Sequence, residues 1–250
     1  MDPAPREGQK AGKDAGVGSQ TPEAHGRKRM ILIQDIVPLQ DGLTRAWHDQ
    51  PNGDFGQARP LPEGEMETDE RVREEWLRLV ARQHHANFDL WHIEDEARRP
   101  GASDADLAAV KRRIDRTNQL RNDLVEELDR ALVGWLQKRG LPNPKAQLHS
   151  ETPGLIIDRL SILSLKIYHT REESERAQAP TGHSERNRER LAILEKQRRD
   201  LAGCLGDLWR EVLAGTRRFD LYRQMKMYND PSLNPAIYSE AESKTGEKAP

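Results

Sequence analysis

Across 250 residues, 40 Lys and Arg stand against 42 Asp and Glu. This balance argues against a dedicated nucleic-acid binder, which carries a basic surplus or stripe for phosphates. The only cysteine, Cys204, rules out an intramolecular disulfide and a cysteine-based zinc site, and fits a reducing cytoplasm. With one third of the residues charged and a mean hydropathy of −0.91, the composition suits long solvated helices better than a sheet-rich protein.

Residues 1–29 are rich in Gly, Pro, Lys and Ala, without periodicity and without the apolar core of a secretory signal, and predict a disordered tail. An apolar pattern then begins at Met30 and runs through Ile36, Leu39 and Leu43 to Trp47. Pro38 is expected to split it into a short segment and a helical piece. Pro51 to Thr68 reads as a long loop.

Asp69 is placed as the N-cap of a helix reaching about Arg98, stopped by Pro100-Gly101. Ser103 caps a third helix, about Asp104 to Arg139, which Gly140 and Pro142 end. Thr152-Pro153 opens a fourth, to about Glu175, because proline is tolerated in the first helical position. A fifth covers roughly Glu185 to Gly215, and a last one about Thr216 to Tyr228, with a loose polar tail from residue 236. No stretch reads as a β-strand. The fold class is therefore all-α, a bundle of four long helices with shorter helical pieces at both ends, in a single domain spanning 30–235. No run reaches the roughly 18 apolar residues that a membrane span needs. The richest, Leu155 to Leu165, is broken by Asp158 and Arg159, so a soluble, cytoplasmic protein with no membrane span is expected.

The fourth helix is apolar on nearly every side and yet carries Asp158, Lys166 and His169. A helix hydrophobic all round is normally buried among others, and an unpaired charge there costs several kcal/mol. On the second helix Gln83, Asn87 and Glu94 fall within the stripe of Trp76, Leu79, Val80 and Leu90, with His84 and Asp95 at its edge. On the third, Asn118 and Arg121 are embedded among Ile114, Val125 and Leu128, and Arg121 is the expected partner of Glu94. Lys226 shares a face with Phe219 and Tyr222. His85, Asp89, His92 and Glu96 recur like a row of metal ligands, but they lie opposite the apolar stripe. They read as a solvated face, and no metal ligand is assigned. The free N–H groups at Thr152-Pro153-Gly154 are of the kind that hold a phosphate or carboxylate, although an ordinary capped helix end explains them as well.

The strings NFDLWHIEDEAR (87–98), IDRTNQLRND (114–123), SETPGLIIDRLSILSLKIYH (150–169) and RFDLYRQMKMYNDPSLNP (218–235) resemble the bacterial domain-of-unknown-function family 4254, over roughly residues 30–235. The resemblance implies an uncharacterised all-helical bacterial protein, whose relatives are often encoded near glycosyltransferase genes for cell-envelope polysaccharide. It assigns no catalytic residue.

Two functions follow as expectations. The first is an enzyme or ligand-binding protein for an anionic small molecule, a sugar phosphate or nucleotide sugar, with its site in the bundle core. Asp158, His169 and Glu94 are then the candidate catalytic groups, and Arg121, Lys166, Asn118, Asn87 and Lys226 the ligand-binding ones, with no cofactor specified. The second is a non-enzymatic adaptor or accessory subunit for a glycosyltransferase, in which the buried polar groups only fix helix register. The all-α nucleoside-triphosphate pyrophosphohydrolases hold Mg²⁺ with E-x-x-E and E-x-x-D. Here Glu126 and Asp129 match only the second half.

Overall fold

The computed structural model describes residues 33–50, 68–223, 225, 232–233 and 235. A short 3₁₀ turn leads into α1 (Ile36–Asp49), followed by α2 (Thr68–Glu96), α3 (Asp104–Gln137), α4 (Pro153–Glu175) and α5 (His183–Leu213). The protein is all-α. Pro38 does not split the first helix as expected. It sits in the first turn of α1, where its missing N–H has no intrahelical partner to lose.

Helix ends follow local chemistry. Ser103 and Asp106 form a reciprocal capping box at the start of α3. At the start of α4 the Thr152 hydroxyl accepts the Leu155 N–H and Pro153 takes the first helical position. Gly215, at φ +72°, ends α5. There the Thr216 N–H reaches the Glu211 carbonyl and the Gly215 N–H that of Val212, the paired bonds that a left-handed residue allows.

The predicted last helix is not formed at its start, and the expectation of no strand is corrected there too. Arg217–Arg218 pairs in parallel with Gln147–Leu148 as a two-residue sheet, which the His149 N–H extends by donating to the Arg218 carbonyl. Phe219, just beyond, is buried in the core. Burying that ring and pairing the backbone with the α3–α4 connector outweigh the weak preference of a short isolated segment for helix.

α4 is the central helix and packs against α1, α2, α3 and α5. Ile156, Ile157 and Leu160 join Leu124, Leu128 and Leu132 of α3, Val80 of α2 and Leu205, Leu208 and Val212 of α5 in one core. α3 and α4 approach so closely at Gly154 that a Cβ there would lie 2.8 Å from the Val125 carbonyl oxygen and from the Asp129 carboxyl. No helix among the described residues is long and apolar enough to cross a membrane.

Candidate functional site

Gln83 and Asn87 lie one turn apart on α2 and so share a face. Both point at Asp158 of α4. The Asp158 Oδ1 accepts Gln83 Nε2 at 2.6 Å, Asn87 Nδ2 at 2.9 Å and Arg121 Nε at 2.7 Å, while Oδ2 accepts Arg121 Nη2. The two-pronged Arg–carboxylate contact is the strong, orientation-fixing kind, and hydrogen bonding to Asp158 holds the Arg121 guanidinium above its ordinary pKa. A buried carboxylate with four donors is fully satisfied. It anchors Arg121 through both of its oxygens.

The network continues through Ser161, which accepts from Asn87 Nδ2 at 2.9 Å and lies 2.7 Å from His84 Nδ1. Proton order can be worked out along it. The Thr44 hydroxyl spends its hydrogen on the Gln40 carbonyl, so the 2.9 Å contact between Thr44 Oγ1 and His84 Nε2 needs an Nε2–H donor. His84 Nδ1 is then the acceptor and Ser161 donates to it. Burial pushes the His84 pKa down to about 3, so the ring stays neutral.

Beside this network a cavity of about 420 Å³ opens between α2, α3 and α4, within the size range of small-molecule sites. Leu90, Trp91, Ile162 and Leu165 supply its apolar wall, and Asn87, Glu94, Asp95, Arg98 and Arg121 its polar groups. Asn87 and Arg121 are thus held on one side by Asp158 and present their other edges to the cavity.

A second polar group gathers where the end of α1 meets α2 and α4. His48, His92 and His169 each offer a ring nitrogen, all within 4.8 Å of one another. His48 Nδ1 lies 2.7 Å from the Thr44 carbonyl and His169 Nδ1 2.9 Å from the Glu172 carboxylate. Since each of those partners is an acceptor, both Nδ1 atoms carry the proton. The Nε2 atoms of His48 and His169 are buried without a hydrogen-bond partner. Aromatic rings hold the imidazoles in place: Tyr168 stacks on His48 at 4.2 Å, Trp91 on His169 at 4.9 Å, and Phe88 meets His92 edge-on at 4.5 Å. Burial lowers the pKa of both His92 and His169.

The family model for a protein of unknown function, DUF4254, matches residues 77–221. The chain belongs to the DUF4254 family. No curated protein and no solved structure matches it. The DUF4254 segment contains the whole cavity wall, Asp158, His92 and His169, and it leaves His48 on α1 outside.

Within this DUF4254 domain the residues singled out from sequence separate into groups. Asn87, Glu94 and Arg121 line the cavity, Asp158 braces two of them, and His169 stacks behind Trp91. The expected Glu94–Arg121 pair is not formed. Glu94 bonds Arg98, just beyond the end of α2, because the rotation of α4 brings Asp158 to Arg121 first. Lys166 is exposed rather than buried and Asn118 is half-buried on α3, and neither lines the cavity. Lys226 lies outside the described residues.

His92 does not face water as expected. α1 covers that side of α2, which a helix read alone assigns to solvent, and brings His48 onto it. His85 and Asp89 of the same row do pair with each other near the surface. Sequence reasoning missed His48, Trp91 and Arg98. The signal within reach was the density of His and aromatic residues in Trp47-His48, Phe88 to His92 and Tyr168-His169.

The helix end at Gly154 already has its anion. The Asp129 Oδ1 accepts the Gly154 N–H at 2.7 Å, and burial pushes the Asp129 pKa up to about 6. Asp129 is therefore an internal cap rather than half of a Mg²⁺ motif. Asp41 of α1 is likewise engaged, accepting Arg198 Nη1 on both oxygens at 2.7 and 2.8 Å and the Ser164 hydroxyl on Oδ1.

Proposed function

We propose that this domain binds a small sugar-like molecule in the cavity between α2, α3 and α4, as the ligand-binding component or enzyme of a cell-envelope polysaccharide pathway. The observation that carries the reading is the make-up of the wall. A half-buried Trp91 and three aliphatic side chains face a rim of amide, carboxylate and guanidinium groups. A sugar ring has the same two-sidedness, with apolar C–H faces that pack on an indole and hydroxyls around its edge that exchange hydrogen bonds with such groups. Arg121 and Asn87 are fixed beforehand by Asp158, which lowers the ordering cost of binding.

The charge on the wall bears on the ligand. Arg98 and Arg121 are each paired with a carboxylate, Glu94 and Asp158, and Asp95 adds a negative group. Recognition therefore rests on the sugar ring, and a phosphate on it is tolerated at the arginines rather than required. The pathway comes from the family resemblance and fits such a ligand.

The alternative, a helical adaptor for a glycosyltransferase, needs a continuous exposed apolar stripe. On α3 the exposed large apolar side chains Leu107 and Leu120 stand roughly 20 Å apart along the helix at 1.5 Å per residue, which favours the cavity reading.

The test is thermal unfolding of the full chain with free hexoses, hexose phosphates and nucleotide sugars. A ligand at 100 times its Kd adds about 2.7 kcal/mol of stability, a readable shift. The shift is expected with at least one sugar and is expected to vanish in Trp91→Ala. If no member of the panel raises the midpoint, or Trp91→Ala responds as the wild type does, the proposal fails.

A further inference from the structure

We propose that His48, His92 and His169 form a binding site for one divalent transition-metal ion of the zinc class, held by three imidazoles with a further coordination position open. The inference goes beyond the sugar-binding reading and does not depend on it.

Three observations converge. The first is distance. Zinc–nitrogen bonds of about 2.0–2.1 Å in a tetrahedral site place the ligand nitrogens roughly 3.3 Å apart. The three rings here already offer nitrogens within 4.8 Å of one another, so small side-chain rotations close the site. The second is the state of two ring nitrogens in the cluster. A buried ring nitrogen without a hydrogen-bond partner is costly, and this cluster has two, the Nε2 atoms of His48 and His169. Both belong to rings whose Nδ1–H is already committed elsewhere, so in the neutral ring the lone pair is on Nε2. A cation satisfies both at once.

The third is what surrounds the rings. Metal-binding histidines characteristically donate their second nitrogen to a carbonyl or carboxylate, which fixes the tautomer and raises ligand basicity. His48 does this to the Thr44 carbonyl and His169 to the Glu172 carboxylate. Tyr168, Trp91 and Phe88 restrict the ring planes, so little side-chain freedom is left to lose on binding. Three neutral imidazoles leave the charge of the ion uncompensated, and Asp89, Asp95 and Glu172 stand close enough to His92 or His169 to act on them electrostatically.

Imidazole donors suit zinc, copper, iron and nickel over magnesium or calcium. Three protein ligands with a fourth position left for water is the arrangement of catalytic rather than structural zinc. Trp91 belongs both to this cluster and to the cavity wall, so the ion would lie one indole away from the ligand cavity.

The test uses the untagged full chain, stripped with a chelator and titrated with Co²⁺ and Zn²⁺. Expected are one equivalent of Co²⁺, with the intense visible bands of a four-coordinate ion, and its displacement by Zn²⁺. The bands should be lost in His92→Ala and His169→Ala and kept in His85→Ala. Glu172→Gln changes an exposed partner without emptying the core, and is expected to weaken Zn²⁺ about 10–100-fold. Absence of stoichiometric binding would overturn the proposal. So would unchanged Zn²⁺ affinity in His92→Ala or, should that variant not fold, in Glu172→Gln. Sugar binding and metal binding are read separately, so either proposal can fail without the other.

Discussion

Two polar centres lie on the same pair of helices, α2 and α4, and they are finished to different degrees. Around Asp158 both carboxylate oxygens have donors, and the surrounding hydrogen bonds run on through Asn87, Ser161, His84 and Thr44. Around His48, His92 and His169 two buried ring nitrogens, the Nε2 atoms of His48 and His169, have nothing to bond. A centre whose charges are all paired acts as architecture, even though the Gln83 Oε1 is buried without a hydrogen-bond partner. One left incomplete, while its rings are firmly braced, costs stability that only a partner returns.

The comparison breaks first at Asp158. Asp158→Ala leaves Arg121 without its counter-charge and strands the Gln83 and Asn87 amides, and is expected to cost about 3–5 kcal/mol in urea unfolding. A loss below 1 kcal/mol would mean that the centre is not structural. Asp129, also engaged with a helix end, sharpens the contrast through pH. Its folded-state pKa of about 6 exceeds the usual carboxylate value near 3.9, so the folded state holds the extra proton. The stability from this group is full below about pH 4 and is lost as pH rises through 6, a swing on the order of 2–3 kcal/mol. The difference in stability between wild type and Asp129→Asn should follow that swing, and a difference independent of pH would contradict it.

Smaller effects belong to the incomplete centre. In metal-free protein His169→Ala removes a stacked ring but no completed buried pair. It is expected to cost only about 0.5–1.5 kcal/mol, the worth of an aromatic contact, measured by the same unfolding. A cost like that of Asp158→Ala would erase the distinction. His85→Ala, which removes a partly exposed pair with Asp89, is expected to stay within about 0.5 kcal/mol.

Helix boundaries were legible because they are written locally, in Ser103, Thr152-Pro153, Gly140 and Gly215. The inward polar residues Asn87, Arg121 and Asp158 were legible too, from their place among apolar neighbours. Their pairing was not. Whether Arg121 meets Glu94 or Asp158 depends on how α3 and α4 rotate against each other, which no single-helix pattern contains. Lys166 misled for a related reason: a face that looks apolar on an isolated helix can end at the rim of the bundle. His92 misled in the opposite sense, since the helix that covers it, α1, is separated from it in sequence. The strand at Arg217–Arg218 exists only because its partner at Gln147–Leu148 does.

That strand pair has a consequence for the order in which the domain is completed during synthesis. Gln147–Leu148 emerges before α4, whereas Arg217–Arg218 and Phe219 emerge only after α5. The connector that aims α4 therefore waits for its partner while two whole helices are made, and the core lacks its Phe219 plug throughout. A nascent chain cut just after Leu213 would carry α1 to α5 and still lack the clasp.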